Sequence, residues 1–210
     1  MVKIDLITGF LGSGKTTFLK KYAKRLMEQG QNIGILENDF GAVNVDMMLL
    51  QELEGEQCEL EMISGGCDPE THRRRFRTKL IAMGMCGYDR VLVEPSGIYD
   101  MDEFFDVLHE EPLDQWYEIG NVIAVVDARL EDTLSPEAEY LLASQAANAG
   151  CMILSKCDTA TEEQRQNTIA HLKRSLAALG CKQRADQKIL CEGAEPLPDQ
   201  EFAAILSCGY

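Results

Sequence analysis

Apolar and polar positions along the chain fall into two alternating patterns. Short β-branched runs, "VKIDLIT" at 2–8, "NIGILE" at 32–37, "DRVLVEP" at 89–95, "NVIAVVD" at 121–127 and "CMILSK" at 151–156, are apolar on both faces. Between them lie amphipathic stretches at 15–29, 69–83, 100–109, 136–149 and 162–179. Strands buried on both faces, each followed by a helix, predict an α/β fold: a mostly parallel central sheet flanked by helices.

Residues 38–63 break the rhythm. They carry polar turns and a strand-like piece near 58–63, and read as a switch-like insertion where function concentrates. Residues 190–210 read as a loop and a short final helix, a C-terminal tail. With 210 residues and no internal repeat or Pro/Gly/Ser linker, the expectation is one domain over 1–210.

Charge narrows the function classes. Lys and Arg number 20 against 35 Asp and Glu, a net charge of -15, which repels a phosphate backbone and argues against nucleic acid or anionic membrane as the main partner. Any phosphate bound is small and held locally. The amino terminus enters an apolar strand directly, without a signal-peptide pattern, and no run is long enough to span a bilayer, so the expectation is a cytoplasmic protein. The eight cysteines are expected to be thiols, most of them small buried hydrophobes.

"GFLGSGKTT", residues 9–17, joins the first strand to the first helix and fits G-x-x-x-x-G-K-[ST]. Gly9, Gly12 and Gly14 let the backbone, with Ser13 and Thr17, wrap phosphate oxygens at a helix N-terminus. Lys15 is placed for the β- and γ-phosphates and Thr16 for Mg²⁺.

"SKCD", 155–158, ends an apolar run where a sheet edge offers a base a carboxylate. Guanine presents N1–H and N2–H₂ as donors, which Asp158 accepts; adenine presents an acceptor at N1. The Lys156 stem covers the ring, and Ser155 stands where such loops usually have Asn. "EPSG" places Glu94 at a strand tip for the Mg²⁺ region and Gly97 for a γ-phosphate contact. "ENDFG" offers Asp39 as a further carboxylate on the Mg²⁺ side.

In this order the four motifs resemble the CobW, UreG and HypB group of P-loop GTPases, the metal-insertion and metallocofactor chaperones of the SIMIBI class. "ENDFG" is similar to the family's N-E-F-G switch with Asp39 in place of Glu, and "EPSG" to its E-x-x-G. The resemblance implies a short form without the C-terminal domain of larger CobW-like proteins. It also implies GTP and Mg²⁺, slow hydrolysis with Lys15 and Glu94 at the reacting phosphates, and a metalloenzyme or corrinoid-protein client. Where CobW-like members carry G-C-x-C-C this chain has "GGCDPE", which keeps Cys67 alone of the metal cysteines.

Metal chemistry therefore turns on "MISGGCDPETHRRRFR", 62–77. Asp68 and Pro69 suit an N-cap and a first helical position. Cys67 precedes that helix, where the dipole favours a thiolate. His72 shares a helical face with Phe76, Leu80 and Met83, and reads either as a packed side chain or as a second ligand. Arg73, Arg74 and Arg77 point largely away from that face, to solvent or to an acidic partner. One chain offers too few ligands, whereas two offer N₂S₂, suited to Zn²⁺ or Ni²⁺, with Co²⁺ also in range, in a nucleotide-dependent homodimer.

The reading is a GTPase that controls metal or metallocofactor delivery. Its rivals are a P-loop small-molecule kinase and a nucleotide-gated binding module with negligible hydrolysis.

Overall fold

The structure is a computed structural model, and it describes residues 1–39, 45–64, 68–96, 101–180, 188–192 and 197–210. Seven strands form one sheet: β1 (Val2–Thr8), β2 (Ile33–Asp39), β3 (Cys58–Ser64), β4 (Arg90–Pro95), β5 (Tyr117–Asp127), β6 (Cys151–Ser155) and β7 (Lys188–Cys191). Their order is β3-β2-β4-β1-β5-β6-β7 and every pairing is parallel. The helices are α1 (Lys15–Glu28), α2 (Val45–Leu50), α3 (Pro69–Gly84), α4 (Met101–Leu108), α5 (Leu113–Trp116), α6 (Pro136–Asn148), α7 (Glu162–Ala178) and α8 (Asp199–Leu206).

Burial on both sheet faces explains the unbroken apolar runs. On one face Ile7, Ile35, Leu92 and Ile123 pack with Phe18, Tyr22 and Leu26 of α1, Leu50 of α2 and Phe202 of α8. On the other, Ile4, Leu36, Val93 and Val126 pack with helices α3 to α7 through Phe76, Leu80, Phe104, Leu142 and Leu172. Helix starts follow their sequence signals. The Asp68 side chain accepts from Thr71 N at 2.8 Å with Pro69 next, and Thr161 and Gln164 form a reciprocal capping box.

The strand-like piece near 58–63 is β3, which pairs with β2 along its whole length, Ile33 with Cys58 through Asp39 with Ser64, and forms a sheet edge. One stretch differs from the sequence expectation. The stretch read as loop at 190–191 closes the other edge as the end of β7, which pairs with β6 from Cys151–Lys188 to Leu154–Cys191. "KILC" is too short, and too polar in its flanks, to show as an apolar run.

Asp5, inside the apolar β1, is fully buried and held by Arg90, Tyr22 and the Asn121 amide at 2.6–2.8 Å. The β1–β5 register shifts there, between Ile4 and Leu6. A buried charge survives only when its lone pairs are occupied, and the shift brings Asn121 N to Asp5 Oδ1 at 2.7 Å. An added Cβ at Gly120 would overlap the same carboxylate, so a glycine is needed there.

From β1 the chain crosses to the β2 side, and from β5 to the β6 side. Ligands of open parallel sheets bind at the carboxyl ends of the strands beside such a reversal, which here lies next to the loop after β1.

Candidate nucleotide site

The loop from β1 to α1 has the backbone its glycines predict. Gly9, Gly12 and Gly14 all have positive φ, 146°, 75° and 93°. At Gly9 a Cβ would overlap the Val125 carbonyl oxygen; at Gly14 it would press on Ser155 at 3.3 Å. Ser13 and Thr16 are buried, and Thr17 is exposed. Lys15 is also buried, with Nζ donating to Phe10 O at 3.2 Å.

Thr16 and Glu94, 78 residues apart, meet: Thr16 Oγ1 donates to Glu94 Oε1 at 2.8 Å. Glu37, which the sequence reading passed over in favour of Asp39, is the register partner of Glu94 on the neighbouring strand and is just as buried. Asp39 ends β2, and its side chain, like Gly97 and Cys67, lies outside the described residues. Two adjacent buried carboxylates and a hydroxyl are an all-oxygen donor set suited to a small hard cation, so the residues present fit Mg²⁺. At the carboxyl ends of β1 and β2 and in the loop after β1, Thr8 Oγ1, both amide atoms of Asn38 and Ser13 Oγ are buried with no hydrogen-bond partner among the described residues. Buried polar atoms at strand tips mark a place built for a polar ligand.

The SKCD loop is fastened to the phosphate loop. Ser155 Oγ makes a short bond to Ser13 O, so serine supplies a link to the loop backbone where an asparagine is usual. Lys156 Nζ reaches Gly12 O at 2.7 Å and Asp127 Oδ2 at 2.7 Å. Lys156 also has φ 56°, the sole positive φ of a non-glycine among the described residues. Its carbonyl accepts from Thr159 N and Ala160 N, both at 3.1 Å, so bonds on either side of the residue hold the left-handed turn. Burial pushes the Asp127 carboxyl up, but Arg129 and Lys156 outweigh it and hold it down at about 2.

Asp158 lines a cavity of about 220 Å³ with Gly14, Thr17, Ser155 and Lys156, joined by Lys21 and Glu192. A roomier hollow of about 470 Å³, bounded by Met62, Arg74, Arg75 and Lys79, lies between β3 and α3. It gathers none of these groups. The sequence missed Asp127, Lys21 and Glu192. Asp127 at a strand tip was open to notice, whereas Lys21 sits mid-helix and Glu192 follows the unrecognised β7.

The metal candidates fare differently. His72 is fully buried, beside Glu103 at 3.6 Å, so it cannot meet a second chain at a surface without repacking α3. That sets it apart from the two-chain site expected of it. Arg73 and Arg77 pair with Glu110 at 2.7 and 2.8 Å, so these two clasp α3 to the loop after α4. Of the cysteines described, only Cys58 and Cys151 are buried; Cys86 and Cys191 are exposed, and Cys157 and Cys208 lie between, so the expectation of mostly buried thiols fails. No group of three or more His, Cys, Asp or Glu able to hold a metal occurs among the described residues.

A strand-loop-helix phosphate cradle at the reversal of a parallel sheet, with a second loop tied to it, defines a P-loop nucleoside-triphosphate domain. The chain belongs to the family described as CobW/HypB/UreG, nucleotide-binding domain, whose model matches residues 3–182. Among its relatives, the zinc chaperone YjiA of Escherichia coli is 29% identical over 172 residues, covering 78% of this chain and 52% of that protein. The chain spans about half the length of the curated relatives it matches first. A zinc-bound triple mutant of the YjiA GTPase has the same fold, with TM-score 0.58 and 20% identity over 98% of this chain and 60% of that one. So does HypB from Helicobacter pylori in complex with nickel, with TM-score 0.55 and 17% identity over 90% and 78%. Among the described residues no helix is long and apolar enough to cross a membrane.

Proposed function

We propose that this domain binds guanine nucleotide with Mg²⁺, hydrolyses GTP slowly, and uses nucleotide state to govern delivery of a metal or metallocofactor to a client protein. The observation that carries the nucleotide part is the double tether of Ser155 and Lys156 to the backbone of Ser13 and Gly12, because it sets base recognition at a fixed span from the phosphates. Asp158 reads the donor edge of guanine, the Lys156 stem covers the ring, and Lys15 with the loop amides holds the phosphates. Thr16 and Glu94, with Glu37 alongside, would hold Mg²⁺, which neutralises charge on the β- and γ-phosphates when bound. Gly97 and Asp39 remain assigned to the γ-phosphate and Mg²⁺ sides on their motifs.

The metal part rests on kinship: the chain shares its family with a zinc chaperone, and its fold with HypB in complex with nickel. Cys67 is its candidate ligand on this chain, completed by a second subunit or by the client. With no activating glutamine or arginine assigned, turnover of roughly 10⁻⁴ to 10⁻² s⁻¹ is expected.

The test compares GTP and ATP affinity in wild type and Asp158→Ala, with phosphate release and a zinc and nickel titration alongside. Loss of the guanine preference in the variant supports the assignment. An unchanged preference removes it, and equal metal affinity in wild type and Cys67→Ser, with and without a GTP analogue, removes the cargo role of Cys67.

A further inference from the structure

Two cysteines to which the guanine reading gives no task meet at the base loop. Cys157 stands inside "SKCD", between Lys156 and Asp158, and Cys191 ends β7. In the parallel pairing of β6 and β7, Cys191 lies opposite Leu154. One residue further on, two backbone bonds join the segments: Glu192 N donates to Leu154 O at 2.7 Å, and Cys157 N donates to Glu192 O at 3.2 Å. The turn after β6 therefore folds back over the end of β7, and residue 157 is one backbone hydrogen bond from the neighbour of Cys191. A disulfide needs Cα atoms about 4.4–6.8 Å apart, a separation that hydrogen-bonded chains meet. The side chains converge as well. Burial pushes the Cys157 thiol up most, and the charge and side-chain hydrogen bonding of Cys191 add to it.

The two differ in access. Cys191 is exposed, whereas Cys157 is half-buried and donates its Sγ–H to Leu154 O at 3.2 Å. Both are thiols in this structure. An exposed thiol backed by a sheltered one suits a pair in which the first meets an oxidant and the second resolves the product.

We propose that Cys157 and Cys191 are a redox modification site, oxidised by a low-molecular-weight disulfide such as oxidised glutathione to an intrachain disulfide that pins the base loop to β7. The Cys191 thiolate, its proton given to solvent, attacks one sulfur of oxidised glutathione. An S–S bond to Cys191 forms, and one glutathione thiolate leaves and takes up a proton. The charge of Cys191 no longer opposes ionisation of Cys157. The Cys157 thiolate then attacks Cys191 Sγ, and the second glutathione leaves and is protonated. Two protein thiols have been oxidised and one disulfide reduced to two thiols; excess reduced glutathione reverses both steps.

Ser155 and Lys156 already tie one side of this loop to Ser13 and Gly12. A covalent bond at residue 157 holds its other side, next to Asp158, so the loop no longer swings away from a bound base and release slows. This consequence rests on the nucleotide reading above, whereas the disulfide itself does not.

In the test, the full chain is reduced, freed of reductant and incubated with millimolar oxidised glutathione, beside Cys157→Ser and Cys191→Ser, and each product is mapped by peptide mass spectrometry. Wild type is expected to link 157 to 191 and to carry no lasting glutathione. Cys157→Ser should trap glutathione on Cys191, and Cys191→Ser should leave Cys157 a thiol. Release of a fluorescent GDP, with Mg²⁺ present, should slow by roughly three- to tenfold on oxidation of wild type, recover with dithiothreitol, and stay unchanged in Cys191→Ser. Glutathione that persists on Cys191 of wild type as it does in Cys157→Ser overturns the dithiol, as does a link from either cysteine to a different residue. A linked protein that releases GDP at the reduced rate or faster overturns the pinning. A chain that links 157 to 191 yet binds no GDP in either state refutes the nucleotide reading, and the pinning with it, while the dithiol stands.

Discussion

Replacing Lys156 by alanine and by glycine separates two things this residue does. Its side chain ties the base loop to Gly12 O and Asp127, and its backbone sits at φ 56°. A hydrogen bond from a charged donor contributes about 1.5–3 kcal/mol. The ion pair with Asp127, partly exposed on both sides, adds only about 0–1. Both variants lose those terms. Alanine keeps the left-handed penalty of about 1–2 kcal/mol, which glycine escapes. Glycine in turn loses about 0.5–1 kcal/mol more chain entropy on folding, so Lys156→Gly should be the more stable variant by about 0.5–1 kcal/mol. Urea unfolding with a common slope measures that difference. A fluorescent GDP titration should show both variants weakened alike, about tenfold or more, since each has lost the tether and the stem over the ring; tenfold corresponds to about 1.4 kcal/mol. Alanine as stable as glycine would refute the strain, and GDP affinity within twofold of wild type in either variant would refute the placement of Lys156 in the base site.

Thr16→Val keeps the shape of the side chain and removes the hydroxyl that bonds the buried Glu94 carboxylate; the Mg²⁺ concentration needed for half-maximal GTP binding should rise about tenfold, and the nucleotide-free protein should lose about 1–3 kcal/mol, read as a lower melting temperature. Gly9→Ala meets the Val125 carbonyl and should destabilise the fold by several kcal/mol, about the range of severe overpacking and positive-φ strain combined, visible as a melting shift before any nucleotide is added. Asp127, held down at about 2, contributes in full above its unfolded value of 3.8, and that contribution disappears as pH falls towards about 2. The stability advantage of wild type over Asp127→Asn should thus be flat from pH 8 to 5 and vanish between about pH 4 and 2, read from urea midpoints. Burial pushes the Cys157 thiol up to about 12, so it should alkylate slowly at pH 8, with peptide mass mapping as the readout.

The amino-acid pattern alone determined the strand-helix alternation, because each strand is buried on both faces and each helix on one, and those demands write themselves as period and length. It also determined the phosphate loop. The steric needs of Gly9, Gly12 and Gly14 and the helix start at Lys15 are local, and local constraints survive in a linear sequence. The N-cap at Asp68 was legible for the same reason.

Tertiary structure decided what depends on partners distant along the chain. Nothing near Ser155 announces that its hydroxyl takes over a link to residue 13, 142 positions away. Glu37 matters because β2 and β4 lie side by side in register with Glu94 opposite, a pairing no periodicity encodes. His72 was ambiguous on helical spacing, and only packing of α3 against the sheet and α4 placed it wholly inside. Lys21 looked like one more lysine of a basic helix until β7, unseen as a strand, brought Glu192 against it and turned a surface charge into the wall of a cavity. Sequence records what a residue requires of its neighbours in the chain, whereas the fold decides which strangers it meets.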